Sequence, residues 1–136
     1  REVLLYSACV RTPKTFSHAE RLFKIANEVR KVIDEFEPST LAIETLFFTT
    51  NQKTVMLVAE ARGAVLVEAA RAKLTVCEYS PLQIKIAVTG YGRSDKSQVT
   101  EMIKKLIALP TLKRLDDEYD AIAVGLTCLA TIRTTN

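Results

Sequence analysis

The chain has 136 residues, 48% of them hydrophobic and 26% charged, with a formal net charge of +3. This composition supports one globular domain over residues 1–136 and excludes a disordered or low-complexity chain. No run of about 18 apolar residues could cross a bilayer and no stretch reads as a signal peptide, so a soluble, cytoplasmic protein with no membrane partner is expected. Cys9, Cys77 and Cys128 lie far apart among apolar neighbours, with no second Cys or His at metal-ligand spacing. Buried free thiols in a reducing compartment explain them better than disulfides or zinc ligands.

Residues 3–10 (VLLYSACV) form an apolar, β-prone run broken by Thr12-Pro13-Lys14, and predict a first strand. From His18 onward, Leu22, Ile25, Ala26, Val29, Ile33 and Phe36 recur at helical spacing until Pro38, which predicts an amphipathic helix over residues 18–37. Ser17 and Glu20 form a capping box at its start, so His18 reads as a surface residue of the first turn. Leu41-Ala42-Ile43-Glu44 suits a buried strand running into a loop. Residues 52–73 are apolar around much of a helix, with Ala59, Ala61, Gly63 and Ala64 spaced along it. One sheet covers one helix face, so the surplus predicts a second partner, most simply the same helix of another subunit.

Residues 75–79 read as another buried strand, and Ser80-Pro81-Leu82-Gln83 as the capped start of a short helix reaching Val88. Residues 89–94 (TGYGRS) are a turn-rich connector, and residues 96–108 are helical again before Pro110. The last helix starts near Asp116 or Asp117 and is expected to bury Ala121, Ile122, Val124, Gly125, Cys128 and Leu129. Strands alternating with helices predict an α/β domain with a mixed or parallel sheet flanked by helices.

Charge is uneven along the chain. Between Lys85 and Arg114, seven basic residues (Lys85, Arg93, Lys96, Lys104, Lys105, Lys113 and Arg114) oppose Asp95 and Glu101, so the window carries +5 and the remainder −2. Such a window is either an ordinary solvated face or a surface for a phosphate backbone. Glu44 ends an apolar strand, where an ionised carboxylate is costly without a cation or donors nearby. Asp117 and Asp120 are three residues apart on one helix face, a spacing that suits either the helix dipole or a hard cation. Together the three carboxylates match two-cation phosphodiester hydrolysis, in which metal ions about 4 Å apart activate water and steady the leaving oxygen. No Ser, Cys or His constellation competes, and Gly90-x-Gly92 lacks the spacing and the Lys-Ser/Thr of a nucleotide P-loop.

Four segments carry a family resemblance. LAIETLFF (residues 41–48), AEARGAVLVEAA (59–70), QIKIAVTGYGRSDKSQV (83–99) and LPTLKRLDDEYDAIAVGL (109–126) resemble, in order and spacing, the RuvC-type Holliday junction resolvases. The resemblance implies a ribonuclease H-like fold with a central mixed sheet. It implies a homodimer joined through residues 52–73 that cuts four-way junction DNA with Mg²⁺ or Mn²⁺, two ions per site, in DNA recombination and repair. Carried over by position, Glu44, Asp117 and Asp120 become metal-binding carboxylates, and Lys85 and Lys96 contact phosphates near the cut. Phe47, or Phe48 in its place, becomes an aromatic wedge at the crossover, with Arg93 a further DNA contact. A branch-migration helicase complex is an implied partner.

The chain departs from the family's pattern in carrying neither the Ile-Asp-Pro-Gly-like strand, whose aspartate is the first metal ligand, nor the strand hairpinned to it. The natural polypeptide is therefore expected to extend upstream, and the chain alone to bind metal poorly and cut slowly or not at all. The alternatives are a non-catalytic junction-binding dimer and a nucleotide-binding domain of actin-like fold, the latter disfavoured by the lack of phosphate-binding glycine loops.

Overall fold

The structure, a computed structural model, describes residues 2–45, 51–110 and 113–135. The elements run β1 (Glu2–Val3), α1 (His18–Phe36), β2 (Thr40–Glu44), α2 (Gln52–Arg71), β3 (Thr75–Tyr79), α3 (Pro81–Thr89), α4 (Lys96–Leu106), β4 (Ile107–Ala108) and α5 (Asp116–Thr135). They fall into two units. Among the described residues, 2–9, 42–45, 78–110 and 113–135 form the first, and 10–41 and 51–77 the second.

In the first unit β1 runs parallel to β4, with Glu2 opposite Ile107 and Val3 opposite Ala108. Leu4 N–H donates to the Ala108 carbonyl at 3.1 Å, and beyond it no strand continues. The strand expected over residues 3–10 is thus confined to Glu2–Val3, because a β-prone run becomes a strand only where a neighbouring backbone receives it. The partner was itself expected to be helical. α4 instead stops at Leu106, and the β-branched Ile107 turns to extended backbone (φ −129°, ψ 143°).

α3, α4 and α5 pack on one another. They bury Ile84, Val88, Ile103, Ile122, Ala123, Val124, Leu126 and Cys128. Of the residues expected in the α5 core, Ile122, Val124 and Cys128 are buried and Gly125 is half-buried, whereas Ala121 and Leu129 are exposed. Ala123, Leu126 and Thr127 are buried instead. The helix is apolar around most of its circumference, so periodicity alone did not choose its inward face. Thr127 is tolerated there because its hydroxyl donates to the Ala123 carbonyl at 2.8 Å.

In the second unit the Ser17 box holds as expected. Ser17 Oγ accepts from Glu20 N–H at 3.2 Å, and Glu20 Oε1 accepts from Ser17 N–H at 3.1 Å. Hydrogen bonding from Ser17, its backbone N–H first and its side chain second, holds the Glu20 carboxyl below the usual glutamate range. α1 ends as Glu37 adopts a left-handed conformation (φ 47°) ahead of Pro38. Its partner is α2. The Arg30 guanidinium donates to both Glu68 carboxylate oxygens at 3.0 to 3.2 Å, and Glu68 is only 6% exposed.

β2 and β3 pair with each other. Thr75 N–H donates to the Ser39 carbonyl and Thr45 N–H to the Tyr79 carbonyl, so residue numbers rise together and the strands are parallel. Both strands were expected to be buried. β2 is only half-buried with Glu44 exposed, and in β3 only Tyr79 is buried. Each has one described strand neighbour, which leaves its faces less covered than an interior strand's.

Candidate active site

Four local rules bring four charged side chains to one cavity of the first unit. β2 ends at Glu44, which remains accessible. α3 begins at Pro81 after the Ser80 cap, whose hydroxyl accepts from Gln83 N–H at 3.1 Å while Gln83 returns a bond at 2.7 Å. With Ile84 and Val88 directed into the core, Lys85 falls at the core's edge. α4 starts at Lys96 because Asp95 caps it through a box with Gln98. That box was missed in the sequence, although Asp-x-x-Gln is a legible signal of the same kind. On α5, Asp120 stands one turn before the buried Ala123 and Val124.

Glu44, Lys85, Lys96 and Asp120 line one cavity of about 300 Å³, floored by Ile84 and Ile103. Lys96 Nζ lies 3.4 Å from Asp120 Oδ2, with both side chains more than half exposed. An exposed pair contributes only about 0–1 kcal/mol, so this contact orients the lysine more than it stabilises the fold. The Glu44 carboxyl is held above the usual carboxylate range, first by partial loss of water and second by the negative charge of Asp120. Two carboxylates are thus close enough to repel each other at the mouth of a cleft, and a hard cation relieves that repulsion.

The remaining sequence-predicted residues are placed differently. Asp117 is exposed and does not line the cavity; the Cys9 sulfur stands 3.9 Å from its Oδ2. Three acidic side chains were expected to meet, and the structure brings two together. Among the described residues no three His, Cys, Asp or Glu side chains converge as a metal site. The donor chemistry of Glu44 and Asp120 nevertheless fits a divalent cation, which both would hold by carboxylate oxygens. Arg93 is exposed on the turn between α3 and α4. Phe47 and Phe48 lie outside the described residues. His18 is a surface residue of the second unit, its Nε2 2.6 Å from Glu60 Oε2.

Tyr119, Thr100 and Glu118 escaped the sequence reading. Tyr119 and Thr100 line the cavity. Lys104 Nζ sits 6.0 Å from the Tyr119 ring centroid. Glu118 anchors the segment before α5, accepting from the Ser7 hydroxyl at 2.9 Å and from Leu115 N–H at 2.8 Å. Those bonds lower its pKa, the Leu115 backbone first. Arg114 extends the network, donating to Ser7 Oγ at 3.2 Å and to the Pro110 carbonyl at 3.1 Å. A partner 107 or 111 residues away leaves no local pattern, so only the Asp95 box was there to be read.

Parallel strand pairs flanked by helices, with strand-end and helix carboxylates facing lysines in one cleft, define a ribonuclease H-like α/β protein of the nuclease type. The sequence profile described as crossover junction endodeoxyribonuclease RuvC matches residues 1–128. The chain belongs to this family, whose members are metal-dependent nucleases. It is 46% identical over 125 residues to the crossover junction endodeoxyribonuclease RuvC of Alkaliphilus oremlandii, covering 92% of this chain and 76% of that one. Identity to the RuvC of Heliobacterium modesticaldum is also 46%, with the same coverage. The solved Thermus thermophilus RuvC superposes with a TM-score of 0.87 at 32% identity, over 96% of this chain and 79% of that one. The T. thermophilus RuvC in complex with Holliday junction substrate gives 0.90 at the same identity and coverage. Among the described residues, no helix is long and apolar enough to cross a membrane.

Proposed function

We propose that this chain is the nuclease domain of an endonuclease that resolves four-way DNA junctions by metal-dependent hydrolysis of symmetric phosphodiesters. The observation that carries the reading is the single cavity joining Glu44 and Asp120 to Lys85 and Lys96. The complex of a T. thermophilus relative with a Holliday junction substrate supports four-way DNA as the ligand.

Glu44 and Asp120 would hold the cations, Mg²⁺ or Mn²⁺ and two per site, with Asp117 as a further carboxylate ligand from the same helix as Asp120. When bound, such cations would supply an acidified water and offset charge on the leaving oxygen. Lys85 and Lys96 sit where negative charge develops on the phosphate, and Lys96 remains aligned through Asp120. Water oxygen bonds to phosphorus as the bond to the 3′-oxygen breaks, leaving a 5′-phosphate and a 3′-hydroxyl. Phe47, with Phe48 as its substitute, is assigned the wedge at the crossover, and Arg93 a backbone contact. Residues 1–136 act as one domain of a cytoplasmic protein of DNA recombination and repair, a component to which a branch-migration helicase docks.

A homodimer through α2 is part of the same proposal, supported by the exposure of Met56, Leu57, Val58 and Val67 on that helix. A competing reading is a junction-binding dimer that does not cut, and one observation favours it: two carboxylates, not three, line the cavity.

The test is nicking of a synthetic four-way junction in Mg²⁺ or Mn²⁺ by the gene product that carries this chain. Glu44→Gln and Asp120→Asn are each expected to slow cleavage by about 100-fold or more while leaving junction binding near the parent's. Normal cutting by both variants removes the assigned site. Tight binding without cutting by the parent establishes the competing reading.

A further inference from the structure

The turn between α3 and α4 is built more firmly than a connector requires. Thr89 hydroxyl donates to the Lys85 carbonyl at 2.7 Å and accepts from Tyr91 N–H at 3.1 Å. Ser94 N–H donates to the Tyr91 carbonyl at 3.1 Å, and the Ser94 hydroxyl, 3% exposed, bonds both Thr89 and that carbonyl. Gly90 supplies the left-handed conformation that ends α3 (φ 79°). A Cβ on Gly92 would stand 2.8 Å from Leu82 Cδ1, so the chain presses directly onto α3 there. Thr89, Gly90, Gly92, Ser94 and the Tyr91 backbone are all engaged, yet Tyr91 is 57% exposed and Arg93 is exposed beside it.

A single exposed aromatic is ordinary on a protein surface. This one differs in its setting. Lys85 and Lys96, the two lysines of the cavity, bracket the turn in sequence, and the turn is hydrogen-bonded directly to the backbone of Lys85. It also lies within the stretch that carries +5 of charge. A rigid aromatic loses little conformational entropy on contact, and every nucleobase offers a face on which it can stack.

We infer that Tyr91 is a stacking platform for an unpaired or unstacked nucleobase beside the cleavage cavity, with Arg93 holding the adjacent phosphate. This rests on the junction-cutting reading and deepens it. Strand exchange interrupts base stacking, so Tyr91 contributes more on a four-way junction than on a continuous duplex. The platform therefore adds selectivity for structure, whereas the lysines hold any backbone.

The experiment compares parent, Tyr91→Ala, Tyr91→Phe and Arg93→Ala forms of the gene product carrying this chain. Probes are a four-way junction with 2-aminopurine beside the exchange point and the matching linear duplex. Tyr91→Ala is expected to weaken junction binding about 5- to 150-fold, the range of one base–aromatic stack, with the duplex little affected. It should also lose the aminopurine response while keeping the parent's salt slope and thermal midpoint. Tyr91→Phe should keep both binding and response, and Arg93→Ala should lower the salt slope by about one. If the parent prefers the junction and Tyr91→Ala binds and responds like it, the platform is refuted and the junction reading stands. A parent that does not distinguish junction from duplex overturns both.

Discussion

The two units of this chain are held together in contrasting ways. In the first, an apolar cluster from α3, α4, β4 and α5 is closed around Ile103, which is fully buried, and the charged residues of the cavity stand on its border. In the second, the buried positions of the described residues reduce to Ala69 and Glu68, and Glu68 depends on a bidentate arginine. α2 meanwhile leaves Met56, Leu57, Val58 and Val67 in solvent. A catalytic cleft needs side chains held within a fraction of an ångström, which a close-packed core provides. A surface that associates needs the opposite, apolar area left uncovered until the partner arrives.

Substitutions can break or sharpen that contrast. The largest stability effect is expected at Ile103→Ala, about 2–5 kcal/mol by denaturant titration, with cleavage falling because the cavity floor moves. Glu68→Ala comes next. It strands the Arg30 guanidinium and should cost about 1–3 kcal/mol, reduced by the partial exposure of that arginine, with no change in the cleavage rate of the folded fraction. Ser17→Ala removes the α1 cap, worth about 1 kcal/mol.

The smallest effects are expected at the ends of the comparison. Val67→Ala, on the open face of α2, should lie within about 0.5 kcal/mol for the dissociated chain yet weaken self-association in sedimentation experiments. A loss of several kcal/mol in the monomer would show that this face packs within its own unit. Acid titration separates two carboxylates. The Glu20 pKa is lowered by folding, so its contribution to α1 is complete above the ordinary glutamate value and disappears as pH falls through the depressed one. The Glu44 pKa is raised, so its ionised form opposes folding at neutral pH and acid relieves the cost. Glu44→Gln should therefore leave neutral-pH stability equal or slightly higher while cleavage collapses, the exchange expected of a site that holds charge for function.

How much of this was legible depended on the range of the signal. The Ser17–Glu20 and Ser80–Gln83 boxes were readable because all their atoms lie within four consecutive residues. The Asp95 box obeys the same rule and was available to be read. Residues 3–10 illustrate the limit, since their β propensity is real but only Glu2–Val3 meets a partner strand. For α5, helical spacing narrowed the choice of inward face, and packing against α3 and α4 chose Ala123 and Leu126 over Ala121 and Leu129. The grouping of Glu44, Lys85, Lys96 and Asp120 was anticipated through family resemblance; their separations in sequence contain no local rule that would assemble them.

What the sequence determined by itself was the order and type of most elements, the capping boxes that start three of the described helices, and the family, because each is written in short-range pattern or in residue identity. The tertiary structure decided which strand residues found partners and that Asp120 faces Glu44 while Asp117 lies against Cys9. It also decided that Tyr119 enters the cavity and that Tyr91 stands clear on a pinned turn. All but the last depend on contacts between residues tens of positions apart, where side-chain volume and direction, and not propensity, settle which neighbour is met.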